Sequence, residues 1–167
     1  MSESIDQLFE MAIAAEKASE ALYHGLQRKF AFNPELAAFW ERYAIEEAGH
    51  AMWLTRLRDR ADPAQLSAPA DPLLLRDVRK ALVLGVDRRL EGVKDLNDAY
   101  ELVNELENSE TNAIFDFLIT NFAEDEEAVA FMRAQLAEHI GRLVHGFPAA
   151  FRSAGRRREV KALDSTG

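Results

Sequence analysis

The segment Glu47-Ala-Gly-His50 sets a carboxylate and an imidazole three residues apart, one turn of a helix. Around it Leu36, Trp40, Tyr43, Ala51, Leu54 and Leu57 recur at helical spacing, so both groups lie on or beside a core-facing stripe. A charged carboxylate midway along such a stripe costs several kcal/mol to bury unless something pairs with it. A metal ion is the commonest partner that also takes a neighbouring imidazole. One Glu-x-x-His is weak by itself among four histidines and 29 acidic residues. What matters is whether other helices bring carboxylates to the same depth.

Three other stretches do. Ile5 to Phe30 reads as a first long helix with the stripe Ile5, Phe9, Ala12, Glu16, Ser19, Tyr23, Leu26 and Phe30. Glu16 is its only acidic member past the first turn, half way along. Ser4 is the expected cap, and Asn33-Pro34 the short turn into the second helix, the stretch Ala31 to Arg60. So brief a connection makes the two helices antiparallel neighbours. Leu96 to Phe122 reads as the third core helix, capped by Asp95 with Asp98 in its first turn. Its expected face runs Ala99, Val103, Leu106, Glu110, Ala113 and Phe117, with Glu107 at the edge.

The acidic run Glu124 to Glu127 suits the positive end of a fourth helix reaching roughly Gly146. Its stripe is Val129, Met132, Leu136, His139 and Leu143, with Gln135 and Glu138 beside it, and Phe147-Pro148 ends it. Between the second and third helices, Pro63, Pro69 and Pro72 break the chain. Residues 63 to 93 form a long crossover expected to carry one shorter helix, Leu73 to about Leu90.

Four helices thus place Glu16, Glu47 with His50, Glu107 and Glu110, and Glu138 and His139 at mid-height on apolar faces. Converging carboxylates repel in a low-dielectric core, leaving some protonated unless cations neutralise them. Two ions bridged by carboxylates solve that problem, and oxygen ligands with a few imidazoles suit iron or manganese. The competing account is a set of solvated or salt-bridged glutamates. On the fourth helix Glu138 or His139 is expected to ligate, and neutral Gln135 is not. The Tyr23 hydroxyl is placed to bond a ligand carboxylate. His24 and His145 fall near helix ends and read as surface residues; the other aromatic rings read as core filling.

Composition excludes much else. The 167 residues contain no cysteine, hence no disulfide, thiolate metal site or cysteine nucleophile. A net charge of −9 argues against a nucleic-acid surface. No apolar run is long enough for a membrane span, and no signal peptide is indicated, so a cytoplasmic location is expected. Arg152, Arg156, Arg157, Arg158 and Lys161 make a basic tail, read as a frayed end.

Glu16 with Tyr23, Glu47-x-x-His50, Glu107-x-x-Glu110 and the acidic/histidine cluster near residue 138 resemble the ferritin-like superfamily and, within it, the rubrerythrin-type diiron domain. The resemblance covers about residues 5 to 146. It implies an all-α fold: a ferritin-like antiparallel four-helix bundle over residues 1–150, with a long helical crossover between helices 2 and 3, and a tail over 151–167. It implies two iron ions, or manganese, held by Glu16, a bridging Glu47, His50, Glu107, Glu110 and Glu138 or His139. Glu47, Glu110 and Tyr23 are then the residues of the chemistry itself. The implied activity is that of an oxidoreductase reducing peroxide or oxidising ferrous iron, with peroxide or dioxygen as substrate, in a homodimer.

The fourth helix departs from the family, which places a second Glu-x-x-His there. This chain has Gln135-x-x-Glu138 followed by His139, and counting on from Glu138 reaches Gly141, which cannot ligate. The rubredoxin-like tail with four cysteines is also missing, so the electron donor is expected to be another protein. An iron-sequestering protein without efficient turnover, and a structural bundle with a degenerate site, remain alternatives on sequence alone.

Overall fold

Ser4 opens the first helix with a reciprocal cap: its hydroxyl accepts from Gln7 N–H at 3.3 Å, and the Gln7 side chain accepts from Ser4 N–H at 2.9 Å. In this computed structural model, which describes residues 3–83 and 85–145 and only the backbone of 110, 111 and 144, α1 spans Ile5–Lys29. Every member of its expected stripe is buried, Glu16 included. The turn occupies Phe30 to Asn33, so α2 spans Pro34–Arg60 and not the stretch from Ala31. Asn33 Oδ1 accepts from the Glu35 and Leu36 amides, and proline takes the first helical position, where no donor is needed. The two helices run antiparallel. Near the end of α2, Arg58 forks onto Asp6 at 2.6 and 2.9 Å and reaches Glu10 at 2.8 Å, both near the start of α1.

The crossover carries three helices where one was expected: α3 (Pro63–Ser67), α4 (Pro72–Val83) and α5 (Val86–Glu91). Gly85 caps α5 in an extended conformation at φ −55°, ψ 148°, which no continuous helix contains. The crossover is tied to the start of α1 by Ile5 N–H donating to Ala68 C=O and Ala70 N–H donating to Glu3 C=O, each at 2.9 Å. Leu75 and Val78 of α4 enter the core. Gly25 on α1 lets α5 lie close, since a Cβ there would stand 2.2 Å from Leu90 Cδ1.

The third bundle position is not one helix but two, α6 (Leu96–Glu107) and α7 (Glu110–Phe122). Asp95 and Asp98 cap α6 as expected. At its far end Asn108 caps it, its amide donating to Asn104 C=O at 2.7 Å, while the Asn112 amide donates to Glu107 C=O. The Asn104 carbonyl thus accepts both the backbone N–H and the side-chain amide of Asn108, and the Glu107 carbonyl accepts a side-chain amide. The interruption resets the helical phase. The buried residues are Ala99, Val103 and Glu107, then Ile114, Phe115, Leu118 and Ile119; Ala113 of the expected face is exposed. The last helix, α8, spans Glu126–His145 and buries Met132, Leu136, His139 and Leu143.

Among the described residues there is no strand, only one isolated bridge between Ser4 and Pro69, and the fold is an all-α, ferritin-like bundle. Two apolar clusters fill it. One joins Phe9, Ala12 and Ile13 to Leu54, Leu118 and Leu136; the other joins Tyr23 and Leu26 to Trp40, Tyr43, Val103 and Leu143. Between them lies a layer of buried ionisable groups: Glu16, Glu47, Glu107 and His139. Residues 146–150 of the expected domain and the basic tail lie outside the described residues.

Candidate metal centre

Glu47 sits midway along α2, facing the centre of α1, and its two oxygens serve different partners. Oε2 lies 3.3 Å from His50 Nδ1, which is also 3.6 Å from Glu16 Oε2. Oε1 lies 3.0 Å from His139 Nε2, which is 3.1 Å from Glu107 Oε1. Two groups of potential ligands therefore share one glutamate: Glu16, Glu47 and His50, and Glu47, Glu107 and His139. Within each group one ligand atom per residue lies within 4.8 Å of the others. Tyr23 donates a hydrogen bond to Glu107 Oε1, so this oxygen is held by a phenol from α1 and an imidazole from α8.

Burial, opposed by His50 and reinforced by the Glu47 charge, raises the Glu16 carboxyl to about 8. Burial would raise Glu47 as well, but hydrogen bonds from His139, His50 and Glu16 outweigh it and hold Glu47 well below the usual carboxylate range. Burial disfavours charge on His50, yet Glu16 and Glu47 raise it to about 9. Burial disfavours charge on His139 too, yet Glu107, Glu46 and Glu47 raise it to about 12. Burial and the Glu107 charge push the Tyr23 hydroxyl well up, so it remains a donor. Without metal, the layer is thus stabilised by protons on Glu16 and both imidazoles. Cations can replace those protons, and buried carboxylate oxygens with imidazole nitrogens suit a metal such as iron.

A further carboxylate stands behind the second group. Glu46 Oε2 lies 2.7 Å from His139 Nδ1, and Glu46 Oε1 accepts from Arg142 at 2.8 Å. An N–H at His139 Nδ1 leaves Nε2 as the atom for a metal. The Tyr43 hydroxyl donates to His139 C=O at 3.0 Å, and its ring packs 4.7 Å from the imidazole. Sequence reasoning assigned neither residue to the site. Glu46 lies four residues before His50 and three after Tyr43, which was the available signal.

Glu16, Glu47, His50, Glu107 and His139 are therefore brought together, with Tyr23 against them. Glu138 is not. Its side chain is 61 % exposed, 3.7 Å from Arg142 one turn along α8, because a residue next to His139 is rotated about 100° from the buried stripe. Gln135 is exposed too. The Glu110 side chain lies outside the described residues. His24 and His145 are at the surface, His24 against Gln27 at 3.0 Å.

An all-α bundle with two carboxylate–imidazole groups joined through one glutamate defines a protein of the ferritin-like class. A family model described as Rubrerythrin matches residues 7–134, and the chain belongs to the rubrerythrin family. The match stops within α8, short of His139. No curated protein and no solved structure matches the chain.

Proposed function

We propose that the protein is a dinuclear-iron oxidoreductase that reduces peroxide, or oxidises ferrous iron, at the layer between the two apolar clusters. The observation that carries this reading is the division of Glu47, one oxygen toward His50 and the other toward His139. Glu16 and His50 would hold one iron and Glu107 and His139 the other, with Glu47 common to both. When bound, the pair of ions supplies two electrons to the oxidant and takes the resulting charge.

The chain's own part is positional. Glu46 fixes His139 through Nδ1, and Tyr23 fixes Glu107 through Oε1. Tyr23, Trp40 and Tyr43 close the layer on one side with rings 5.0 to 6.5 Å apart, excluding water from that direction. Reduction of hydrogen peroxide to two waters consumes two protons and two electrons. The Tyr23 O–H is a buried proton-bearing group at Glu107. No described helix is long and apolar enough to cross a membrane. We place the protein in the cytoplasm as a homodimer that draws electrons from a separate donor protein.

Anaerobic loading with ferrous iron, removal of loose metal and elemental analysis should give about two ions per chain, and added peroxide should oxidise both. Fewer than about half an ion per chain would overturn the reading, because a bound ion should offset the desolvation of its ligands.

A further inference from the structure

A cleft of about 240 Å³ opens between α2, α7 and α8 and reaches both His50 and His139. It is far larger than hydrogen peroxide needs. A water molecule has a share of about 30 Å³ in the liquid, and an apolar cavity of about 150 Å³ holds benzene. The walls are chiefly Trp53, Phe115, Phe131 and Met132, and Phe131 is half exposed at the rim.

Gly49 lines the same cleft in the middle of α2. A glycine inside a helix costs about 0.5–1 kcal/mol relative to alanine. Nothing in the packing asks for it, since a Cβ there would meet no atom within 4 Å and its φ is not positive. What the missing side chain does leave is room beside His50. Arg142 is engaged by Glu46 at 2.8 Å and stands 3.7 Å from Glu138, so one guanidinium faces two carboxylates. Packing a charged group against the apolar walls would leave it without a partner, whereas a neutral apolar group loses nothing there.

Building on the peroxidase reading, we propose that the cleft between α2 and α8 admits neutral organic hydroperoxides, the alkyl or aryl group packing on Trp53, Phe131 and Met132 beside Gly49. The O–O bond breaks, two ferrous ions each give one electron and two protons are taken up. The products are one alcohol, one water and two ferric ions.

The test uses the full chain loaded with ferrous iron and mixed with hydrogen peroxide, cumene hydroperoxide or its ring-carboxylated derivative. Cumene hydroperoxide should oxidise iron within tenfold of the hydrogen peroxide rate, and the carboxylated compound at least tenfold more slowly than cumene hydroperoxide. Gly49→Leu should lower the cumene-to-hydrogen-peroxide rate ratio at least tenfold, and Gly49→Ala less. Gly141→Leu, the same change on α8 with open space around it and outside the cleft, should leave the ratio at the wild-type value. Independently of iron, 2-phenyl-2-propanol should shift the Trp53 indole resonance of the metal-free protein, and Gly49→Leu should weaken that binding. Fast oxidation by hydrogen peroxide with cumene hydroperoxide a hundredfold slower overturns this inference and leaves the peroxidase reading standing. A ratio unmoved by Gly49→Leu does the same. Inertness of bound iron to both peroxides overturns the two together.

Discussion

The two halves of the bundle bring carboxylates and imidazoles to one layer by different means. In the α1–α2 half, Glu16, Glu47 and His50 sit near the middle of helices 25 and 27 residues long, on stripes that run unbroken from end to end. In the α6–α8 half, Glu107 is the last residue of α6, and the chain breaks immediately after it. The halves differ in surroundings as well. The side chain of His50 is 12 % exposed and lines the cleft; that of His139 is 2 % exposed and faced by Glu46, Glu47 and Glu107. Both line the cleft, but the first has more surface open to it and the second is held by three carboxylates. Glu47 belongs to both.

The largest effect should therefore follow from Glu47→Gln. Losing the shared carboxylate removes a ligand from each group and leaves two imidazolium-forming residues without their common counter-charge. Removing one partner of a buried ionic group costs about 3–5 kcal/mol. Metal content should fall from about two ions to near zero, with peroxide-dependent oxidation lost. Glu16→Gln should empty the first half alone and Glu107→Gln the second alone. Elemental analysis of the three variants separates a shared ligand from two independent sites; one ion retained by Glu47→Gln would show that the glutamate is not shared.

Proton linkage comes next and acts on both halves. At pH 7 the metal-free protein carries protons on Glu16, His50 and His139, so loading both halves should release about three protons per chain, readable with an indicator dye. Stability moves accordingly. The Glu16 contribution is complete below its ordinary 4.5 and is lost as pH rises to about 8. That of His50 is complete below 6.5 and is lost by about 9. Glu47, held low, works the other way, and its contribution is lost only as pH falls below the ordinary carboxylate range. The melting temperature of the metal-free protein should thus decline between pH 6.5 and 9, while metal-loaded protein declines less. Parallel melting profiles would mean that the groups are not clustered.

The same contrast explains what the sequence disclosed. Glu16, Glu47 and His50 were legible because an uninterrupted helix keeps one phase, and a stripe counted from Ile5 or Leu36 still holds at the ligand. Glu107 was displaced to an edge because counting assumed one helix from Leu96 to Phe122. At the break the Asn108 amide bonds the Asn104 carbonyl and the Asn112 amide the Glu107 carbonyl, contacts that residue spacing does not encode. Glu46 and Tyr43 were missed for another reason. Their partners, His139 Nδ1 and His139 C=O, come from α8, more than 90 residues away. Within α2 alone, Glu46 is one more acid on a polar helix.

Glu46 gives a sharper test of the halves. Glu46→Gln keeps the side chain's shape but weakens its hold on His139 Nδ1, so the second half should lose affinity while the first keeps its own. An outer partner of a ligand histidine is typically worth about 10–100-fold in metal affinity. A titration with a redox-inert divalent ion should resolve one unchanged step and one weakened step. Two equally weakened steps would indicate that Glu46 supports the layer as a whole.

The smallest effect is expected at Glu138, where residue spacing left the choice with its neighbour His139 open. Glu138 projects to solvent on the outer side of α8, and its contact with Arg142 is a long, exposed i,i+4 pair. Such pairs contribute about 0.3–0.5 kcal/mol, and surface substitutions of this kind usually stay within about 0.5 kcal/mol. Glu138→Gln should therefore keep two ions per chain, the same release of protons and a melting temperature within a degree or two of wild type. His139→Ala should differ in kind. It removes the Nε2 ligand beside Glu47 and Glu107, so the second half should lose its ion while Glu16, Glu47 and His50 keep theirs. It also opens a cavity where the Tyr43 ring packed. The pair of variants decides the fourth-helix ligand by metal counting alone, and loss of one ion from Glu138→Gln, with His139→Ala keeping both, would reverse the assignment.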